Sequence, residues 1–518
     1  AEIHSAVVLA FALNIDKFPE LEQQFLNIAR DPSQPIEVRR SVLFYLSKLD
    51  APEIRALLVS NLSDTDWRMR QAAALGLGNL KGPEIPGLLK PLTQDSIWPV
   101  RQAAAASLGN FDQSQVVDYL RPLLKDPEWR VRQTTVMSLG NFQDPGIPDL
   151  LKPLIQDSYS DVKQAAAASL SNFDQPQVVD YLKSLLDDKY QGVRSAAVDS
   201  LGNLKNPQVL DYLILKLNDP DPLVRKSVAV ALGKFNGPRV VESLTILLKD
   251  KDIYVQQAAI LSLGSRLDDF PDNLTLLTPF LNDKDPQVRS ATVSVLGPSI
   301  DKFPQLKQPF LDIAKDISAY QARQDALFYL SKIDAPDVKA LLASNLDNTG
   351  WMMRQAVALG LGNFKGPEIP YLLKPLTRDP DWQVRESTAV SLGQFNDPVA
   401  VQSLIPLLKD NTVSVRQSVF VSLGSRLDEF PQLKQPFLDI AKNSAWPIQM
   451  RQDALLSLSK IDAPEVKDLL GSNLGNTDWR MRQSAALGLG NFKGPEIPDL
   501  LKLLVQDPTW QVRQATVT

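Results

Sequence analysis

The sequence predicts an all-α fold, a right-handed superhelical solenoid of about sixteen helical hairpins. The first observation behind this prediction is a position, here called the marker, that is usually arginine and recurs sixteen times. Twelve of its fifteen intervals are 31 residues long, and the other three are 33, 34 and 35. A period of this length indicates a repeat architecture. The markers are Arg39, Arg70, Arg101, Arg132, Lys163, Arg194, Arg225, Gln256, Arg289, Arg323, Arg354, Arg385, Arg416, Arg451, Arg482 and Arg513.

The second observation is an amphipathic pattern around each marker, as in residues 126–141, DPEWRVRQTTVMSLGN. Val131, Thr135 and Leu139 fall four apart and so share one face of a helix. We expect Asp126 to cap this helix and Pro127 to occupy its first position. Gly140 is expected to end it in the left-handed conformation that glycine tolerates. The stretch therefore predicts the second helix of a hairpin.

A first helix precedes each of these stretches, as in residues 82–95 and 113–126. A proline recurs inside it, where it removes one helical hydrogen bond and clashes with the preceding turn. We therefore predict a bend at the same place in several first helices. These prolines are Pro91, Pro122, Pro153, Pro375 and Pro406.

The repeats extend over the whole sequence without a linker or low-complexity segment. Two short helices cannot bury their apolar faces alone, so neighbouring hairpins must share a core. We therefore expect residues 1–518 to form a single continuous array, with partial repeats at both ends, and the chain to be a fragment of a larger protein. Residues 5–19 match residues 290–304 in phase, so we assign the N-terminal apolar run to the array and not to a signal peptide.

The pattern D-P-x-W-x-V-R-Q-A-A-x-x-L-G-N with a 31-residue period resembles HEAT repeats. More narrowly, it is similar to the short HEAT-like repeats that are named after the phycobilisome lyases and are common in bacteria. The resemblance covers essentially the whole chain. It implies an α-solenoid that serves as a binding scaffold.

Composition excludes several classes of function. The chain has no cysteine and one histidine, His4, so thiolate chemistry, a Ser-His-Asp triad and most histidine-ligated metals are excluded. No phosphate-binding or G-x-S-x-G motif is present. We expect no enzyme activity, no catalytic or metal-binding residue and no cofactor. No apolar run is long enough to span a membrane, and we expect a cytoplasmic protein.

A column of aspartates stands six residues before the marker. We predict that each aspartate caps a helix and pairs with the marker arginine of a neighbouring repeat, which forms a ladder along the stack. A row of arginines that binds anions is the alternative. The aspartates are Asp64, Asp95, Asp126, Asp157, Asp188, Asp219, Asp250, Asp283, Asp379, Asp410 and Asp507.

Tryptophans form the most selective column. Seven of the eight stand three residues before the marker: Trp67, Trp98, Trp129, Trp351, Trp382, Trp479 and Trp510. They either pack between repeats or form an aromatic strip that anchors a partner. Glutamines follow the marker, among them Gln71, Gln102 and Gln133, and they either form a ladder of amides or bind backbone groups of a partner. These ten residues are the candidate partner-binding site.

The sequence therefore predicts a non-catalytic scaffold or docking arm that binds a protein partner on its concave face. One alternative is a phycobilin lyase-type subunit that handles a bilin and its acceptor protein. The other is a nucleic-acid-binding protein, which the net charge of −5 does not favour. The sequence leaves the oligomeric state open.

Overall fold

The computed structural model describes residues 22–516, except residues 205, 317, 319, 425, 428 and 503. It divides into two compact units, residues 1–273 and 274–518. Both consist of helical hairpins, and no strand occurs among the described residues. That the two units form one continuous array remains a prediction. The assignment of residues 5–19 to the array lies outside the described residues.

In the first unit, helices alternate between a first and a second helix of each repeat. The first helices are Glu22–Arg30, Pro52–Asn61, Ile85–Leu89, Gln115–Leu120, Ile147–Leu151, Pro176–Lys183, Val209–Ile214 and Pro238–Leu247. The second helices are Ile36–Leu46, Trp67–Leu77, Trp98–Leu108, Trp129–Leu139, Ser160–Leu170, Gln191–Asn203, Pro222–Leu232 and Ile253–Gly264. Consecutive second helices of this unit pack against each other.

The second unit repeats this arrangement. Its first helices are Asn273–Leu277, which begins at the boundary, Lys307–Lys315, Pro336–Ala343, Ile369–Leu373, Pro398–Leu404, Lys434–Lys442, Pro464–Asn473 and Glu496–Lys502. Its second helices are Pro286–Leu296, Tyr320–Leu330, Trp351–Gly362, Trp382–Leu392, Val413–Gly424, Ile448–Leu458, Trp479–Leu489 and Trp510–Ala515. The sixteen second helices of the described residues correspond one to one with the sixteen markers.

The recurrent prolines interrupt the first helices at the place where the sequence predicts a bend. At each of them the α-helix ends and a 3-10 segment begins one residue before the proline. These segments are Lys90–Gln94, Arg121–Lys125, Lys152–Gln156, Lys374–Arg378 and Ile405–Lys409, and Thr278–Asn282 is built in the same way. Three shorter 3-10 turns are Gly297–Ser299, Pro304–Leu306 and Pro431–Leu433. The switch follows from the missing proline N–H.

The core is built from the face that the sequence predicts. Val131, Thr135 and Leu139 are fully buried, and the Thr135 hydroxyl donates to the carbonyl of Val131 at 2.7 Å. The predicted start of this helix is wrong by two residues. The helix begins at Trp129 with Glu128 as its N-cap, while Asp126 accepts the N–H of Glu128 at 2.9 Å in the preceding turn.

The predicted left-handed end is also wrong. Gly140 is right-handed, with φ −60° and ψ −16°, and among the described residues only Gly237 has a positive φ. The reason for glycine is close packing. A Cβ atom at Gly140 would lie 2.7 Å from Oγ and 2.8 Å from Cβ of Ser169 in the next repeat. Glycine at this place therefore lets consecutive second helices approach each other.

Candidate functional site

The marker arginines form the predicted ladder. Arg132 donates from Nε and Nη2 to the two carboxylate oxygens of Asp157 in the next repeat, at 2.7 and 2.8 Å. Its remaining Nη1 group donates to the backbone carbonyl of Asp126 at 2.7 Å. The guanidinium is thus saturated by the stack, which excludes it from an anion-binding row. The same bidentate contact joins Arg70 to Asp95, Arg101 to Asp126, Arg194 to Asp219, Arg225 to Asp250, Arg354 to Asp379, Arg385 to Asp410 and Arg482 to Asp507.

The ladder is interrupted in the second unit next to the longer repeats. The interval that follows Arg289 is 34 residues, and its Nη2 lies 3.7 Å from Asp316. The interval that follows Arg416 is 35 residues, and the buried Nε of Arg416 has no hydrogen-bond partner among the described residues. After Arg289 the extra residues displace the aspartate from its usual place, and after Arg416 the corresponding residue is Asn443. A 31-residue interval alone does not form the contact, because Arg39 Nε donates to the carbonyl of Ala29 and no ion pair joins Arg39 to Asp64 among the described residues.

Burial and hydrogen bonding oppose each other at the ladder carboxylates. Burial alone would raise the pKa of Asp250, but the hydrogen bonds from Arg225 and from the N–H of Asp252 outweigh it. The pKa of this carboxyl therefore lies below its ordinary value. The same balance lowers the pKa of Asp95, Asp157, Asp188 and Asp219.

This balance predicts how the first unit responds to acid. The folded-state pKa lies below the unfolded one, so the stabilisation is complete above the unfolded pKa and is lost as the pH falls through the folded pKa. We expect urea unfolding midpoints to be constant from neutral pH to about pH 4 and to fall steeply below it. Asp157→Asn should reduce that slope, and the exposed control Asp211→Asn should not. A loss of stability that begins well above pH 5 would contradict the role of the ladder.

The tryptophan column lies where the sequence predicts, and each of its seven members is the first residue of a second helix. In the first unit its rings pack between repeats. The Arg130 guanidinium carbon lies 5.3 Å from the ring centroid of Trp98 and 4.5 Å from that of Trp129. Trp129 stacks in turn on Tyr159 of the next repeat, with centroids 5.6 Å apart and an angle of 16° between the planes. Cation–π and stacking contacts thus join three consecutive repeats.

The other tryptophans differ in exposure. Trp67, Trp351 and Trp479 are half-buried, whereas Trp382 is 41% exposed and Trp510 60% exposed. The Arg68 guanidinium carbon lies 5.9 Å from the ring centroid of Trp67. No aromatic stacking or cation–π contact involves Trp382 or Trp510 in the described part of the chain. In the second unit these two indoles remain accessible.

Two glutamines of the column donate hydrogen bonds to the next repeat, to hydroxyl groups and, from Gln452, also to the backbone carbonyl of Arg480 at 3.0 Å. Gln102 Nε2 donates to Thr134 Oγ1 of the next repeat at 3.0 Å. In the second unit Gln452 Nε2 donates to Ser484 Oγ at 3.3 Å. Gln71 and Gln133 are half-buried, and Gln71 lines a cavity of about 210 Å³ between its helix and the preceding second helix.

A third column, which is not among the residues predicted from the sequence, stands five residues after the marker. It lies on the same helical face as the first two, because positions −3, +1, +5 and +9 from the marker are four residues apart. In this column Met137 is 58% exposed and Val421 is 77% exposed. Other exposed apolar residues of this column are Val230, Leu261, Phe328, Val390 and Leu487. We call the four columns together the exposed stripe, represented by Trp129, Gln133, Met137 and Asn141.

This missed column could have been found from the sequence. An apolar residue at +5 lies outside the buried set at −1, +3 and +7, so it has no place in the shared core. Contiguous apolar exposure across successive helices is uncommon on a protein surface and marks interaction sites.

The hairpins, their ladder of side chains and their exposed stripe define an α-solenoid. The chain belongs to the HEAT-repeat family, whose model matches residues 22–85, 85–171, 147–215, 179–264, 210–297, 241–330, 274–362, 341–424, 369–448 and 435–518. No curated protein matches the chain significantly.

Several solved structures share the fold at low sequence identity. Kap95p, in a structure with RanGDP, is 13% identical with a TM-score of 0.65, over 100% of this chain and 87% of Kap95p. Another structure of yeast importin-β (Kap95p) gives 13% identity and a TM-score of 0.57, over 96% of this chain and 83% of that one. The karyopherin Kap121p, bound to the extreme C-terminus of the protein phosphatase Cdc14p, is 13% identical with a TM-score of 0.55, over 99% of this chain and 72% of that one. At this identity the likeness concerns the fold alone.

Two properties of the described residues bear on other classes of function. None of the helices there is both long and apolar enough to cross a membrane. Nor does that part of the chain gather three or more His, Cys, Asp or Glu side chains into a group that could hold a metal ion.

Proposed function

We propose that this chain is a non-catalytic protein-interaction scaffold that docks a partner on the concave face formed by its second helices. The observation that carries the proposal is the exposed apolar column at position +5, exemplified by Met137, Val390 and Val421. Each of these side chains is flanked on its own helix by a polar residue at +1. An apolar row with polar borders has the composition of a protein interface.

The tryptophan and glutamine columns support the proposal in different ways. Trp382 and Trp510 are exposed, and tryptophan is a frequent anchor at protein interfaces. Trp98 and Trp129 hold Arg130 between repeats, so their outward edges would form the border of the docking face. Gln71, Gln102 and Gln133, with Trp67, Trp351 and Trp479, complete the candidate partner-binding set.

The solved structures add indirect support. Kap121p holds a segment of another protein, the C-terminus of Cdc14p. A chain with the same fold can therefore bind protein segments. We extend to this chain only the class of partner, which is protein.

The proposal is tested on a partner that is first isolated by affinity capture, identified and purified. We expect Met137→Asp, Val390→Asp and Val421→Asp together to weaken its binding by at least about tenfold, because each introduces a charge into an apolar contact. The matched control carries Leu215→Asp, Ile246→Asp and Tyr371→Asp, exposed apolar positions in or directly after the first helices. Equal affinity of both triple variants, each folded by circular dichroism, would contradict the proposal.

The narrower resemblance to phycobilisome-lyase-type repeats, a bacterial source and a cytoplasmic location are also parts of the proposal. The 31-residue length of most repeats supports the first of them. A bilin titration separates the scaffold from a lyase-type subunit. The scaffold leaves the absorption spectrum of the bilin unchanged, whereas a lyase-type subunit shifts it.

A further inference from the structure

An open groove of about 450 Å³ lies between two second helices of the first unit, Pro222–Leu232 and Ile253–Gly264. Val230 and Leu261 supply its apolar part, and both belong to the +5 column. Lys226, Lys234 and the exposed Tyr254 line it as well. The groove is therefore a concave section of the exposed stripe.

The two lysines depart from the pattern of the neighbouring repeats. Lys226 stands at +1 and Lys234 at +9, where the four second helices from 67 to 170 carry glutamine and asparagine. Both lysines are exposed, and neither forms a salt bridge with a carboxylate among the described residues. Lys234 Nζ donates to Asn203 Oδ1 at 2.5 Å, so its positive charge has a neutral partner.

All the polar side chains that line the groove can donate hydrogen bonds. Besides the two ammonium groups, Tyr254, Gln257 and Ser265 line it, and each of them can donate a hydrogen bond. No carboxylate is among the lining residues. Asp199 lies on helix Gln191–Asn203, which packs on the other side of helix Pro222–Leu232, and its carboxyl interacts electrostatically with both lysines without forming an ion pair. Burial raises the pKa of this carboxyl. The groove itself is thus cationic around an apolar floor.

A second groove of the same type has its charges neutralised. It lies between helices Ile36–Leu46 and Trp67–Leu77, has a volume of about 210 Å³, and is lined by Arg40 and Arg68. Arg40 pairs with Glu37, and Arg68 pairs with Asp66 at 2.9 Å. Basic residues therefore also line another groove of this fold, but there they form ion pairs with carboxylates. At Lys226 and Lys234, by contrast, no carboxylate of the described residues forms an ion pair with the ammonium group.

We propose that the groove between Pro222–Leu232 and Ile253–Gly264 binds an acidic peptide segment with one bulky apolar side chain between two carboxylates. Eight residues of helix separate Lys226 from Lys234, about 12 Å of rise. Carboxylates four residues apart on an extended chain are separated by about 13 Å. The central side chain then reaches Val230 and Leu261. This inference rests on the proposed function, because the groove belongs to the same exposed stripe.

The test uses the full chain and a fluorescein-labelled nine-residue peptide with phenylalanine at its centre and glutamate two residues to either side. We expect saturable binding by fluorescence anisotropy, weakened by salt because exposed charges are screened. Lys226→Gln with Lys234→Gln should weaken it by about tenfold. The control Lys81→Gln with Lys365→Gln removes the same charge from exposed positions elsewhere and should leave the affinity unchanged. Peptides with glutamine for glutamate, or alanine for phenylalanine, should also bind more weakly.

Two results would overturn the inference: no binding of the peptide to the unmodified chain, or equal binding by the Lys226→Gln, Lys234→Gln variant. Its failure can be distinguished from failure of the proposed function. If a purified partner loses affinity with Met137→Asp, Val390→Asp and Val421→Asp but the peptide does not bind, only the groove assignment is wrong. If the peptide binds through the lysines but the partner ignores those three changes, the groove assignment stands and the proposed docking face is wrong.

Discussion

Replacing Arg225 by methionine is expected to destabilise its repeat and the next by about 3–5 kcal/mol, the largest effect of any single change considered. The Arg225 side chain is 6% exposed and that of Asp250 9%. Without the guanidinium, the Asp250 carboxylate is left buried without its bidentate partner, and the carbonyl of Asp219 loses its donor. Native-state hydrogen exchange of helices Pro222–Leu232 and Ile253–Gly264 measures the loss, since a repeat array opens locally.

Two controls separate the loss of a buried ion pair from the loss of an exposed one and from the loss of the side chain itself. Arg239→Met removes an ion pair to Asp211 of similar length, 2.7 Å, but both side chains are mostly exposed, so we expect less than about 1 kcal/mol. Arg225→Met combined with Asp250→Asn should be less destabilising than Arg225→Met alone, because no buried charge is left unpaired. If Arg225→Met were no worse than Arg239→Met, the ladder would not hold the repeats together.

The second large effect is expected at a glycine between repeats. Gly109→Ala should destabilise the array by about 1–3 kcal/mol, although alanine favours helices more than glycine does. A Cβ atom at Gly109 would lie 2.7 Å from Cβ and Oγ of Ser138 and 3.0 Å from its Cα. The serine cannot turn away, because its own Cα is one of the atoms in contact. Urea unfolding and hydrogen exchange of helices Trp98–Leu108 and Trp129–Leu139 measure the effect.

Gly471→Ala is the matched control for this change. Gly471 lies in helix Pro464–Asn473, and nothing stands within 4 Å of the place its Cβ would take. Alanine there should stabilise the helix by about 0.5–1 kcal/mol. Opposite signs at the two glycines are the expected outcome, and stabilisation at both would show that Gly109 is not needed for close approach.

The period of the sequence was sufficient to predict the hairpins and the stacking of their second helices. A marker that recurs mostly every 31 residues, with a leucine seven positions later, is incompatible with a series of separate globular domains. The Arg132–Asp157 contact is predictable for the same reason, since two oppositely charged columns that recur in most repeats can pair from one repeat to the next. The interruptions of the first helices at Pro91 and Pro122 follow from local chemistry alone.

Other features depended on distances between repeats, which a sequence does not contain. Gly140 was expected to adopt a left-handed conformation because glycine often does so at helix ends. The structure instead assigns it to the close approach of Ser169, a contact between repeats. Asp126 was placed as the helix cap, but Glu128 occupies that position and Asp126 stabilises the turn before it.

The candidate site was only partly predictable. The tryptophans were found because the residue type is rare, yet Trp98 and Trp129 contact Arg130 between repeats, as a packing role requires. Met137 was overlooked because the +5 column carries different apolar residues in different repeats. Its position on the face opposite the core, and not its identity, makes it a candidate for docking.

The central claim is that the exposed stripe of the second helices docks a protein partner. Hydrogen–deuterium exchange of the chain with and without its purified partner tests it most directly. We predict slower exchange in consecutive second helices, such as Trp382–Leu392 and Val413–Gly424, with first helices such as Ile369–Leu373 and Pro398–Leu404 unchanged. Protection confined to the first helices, with the second helices unaffected, would contradict the claim.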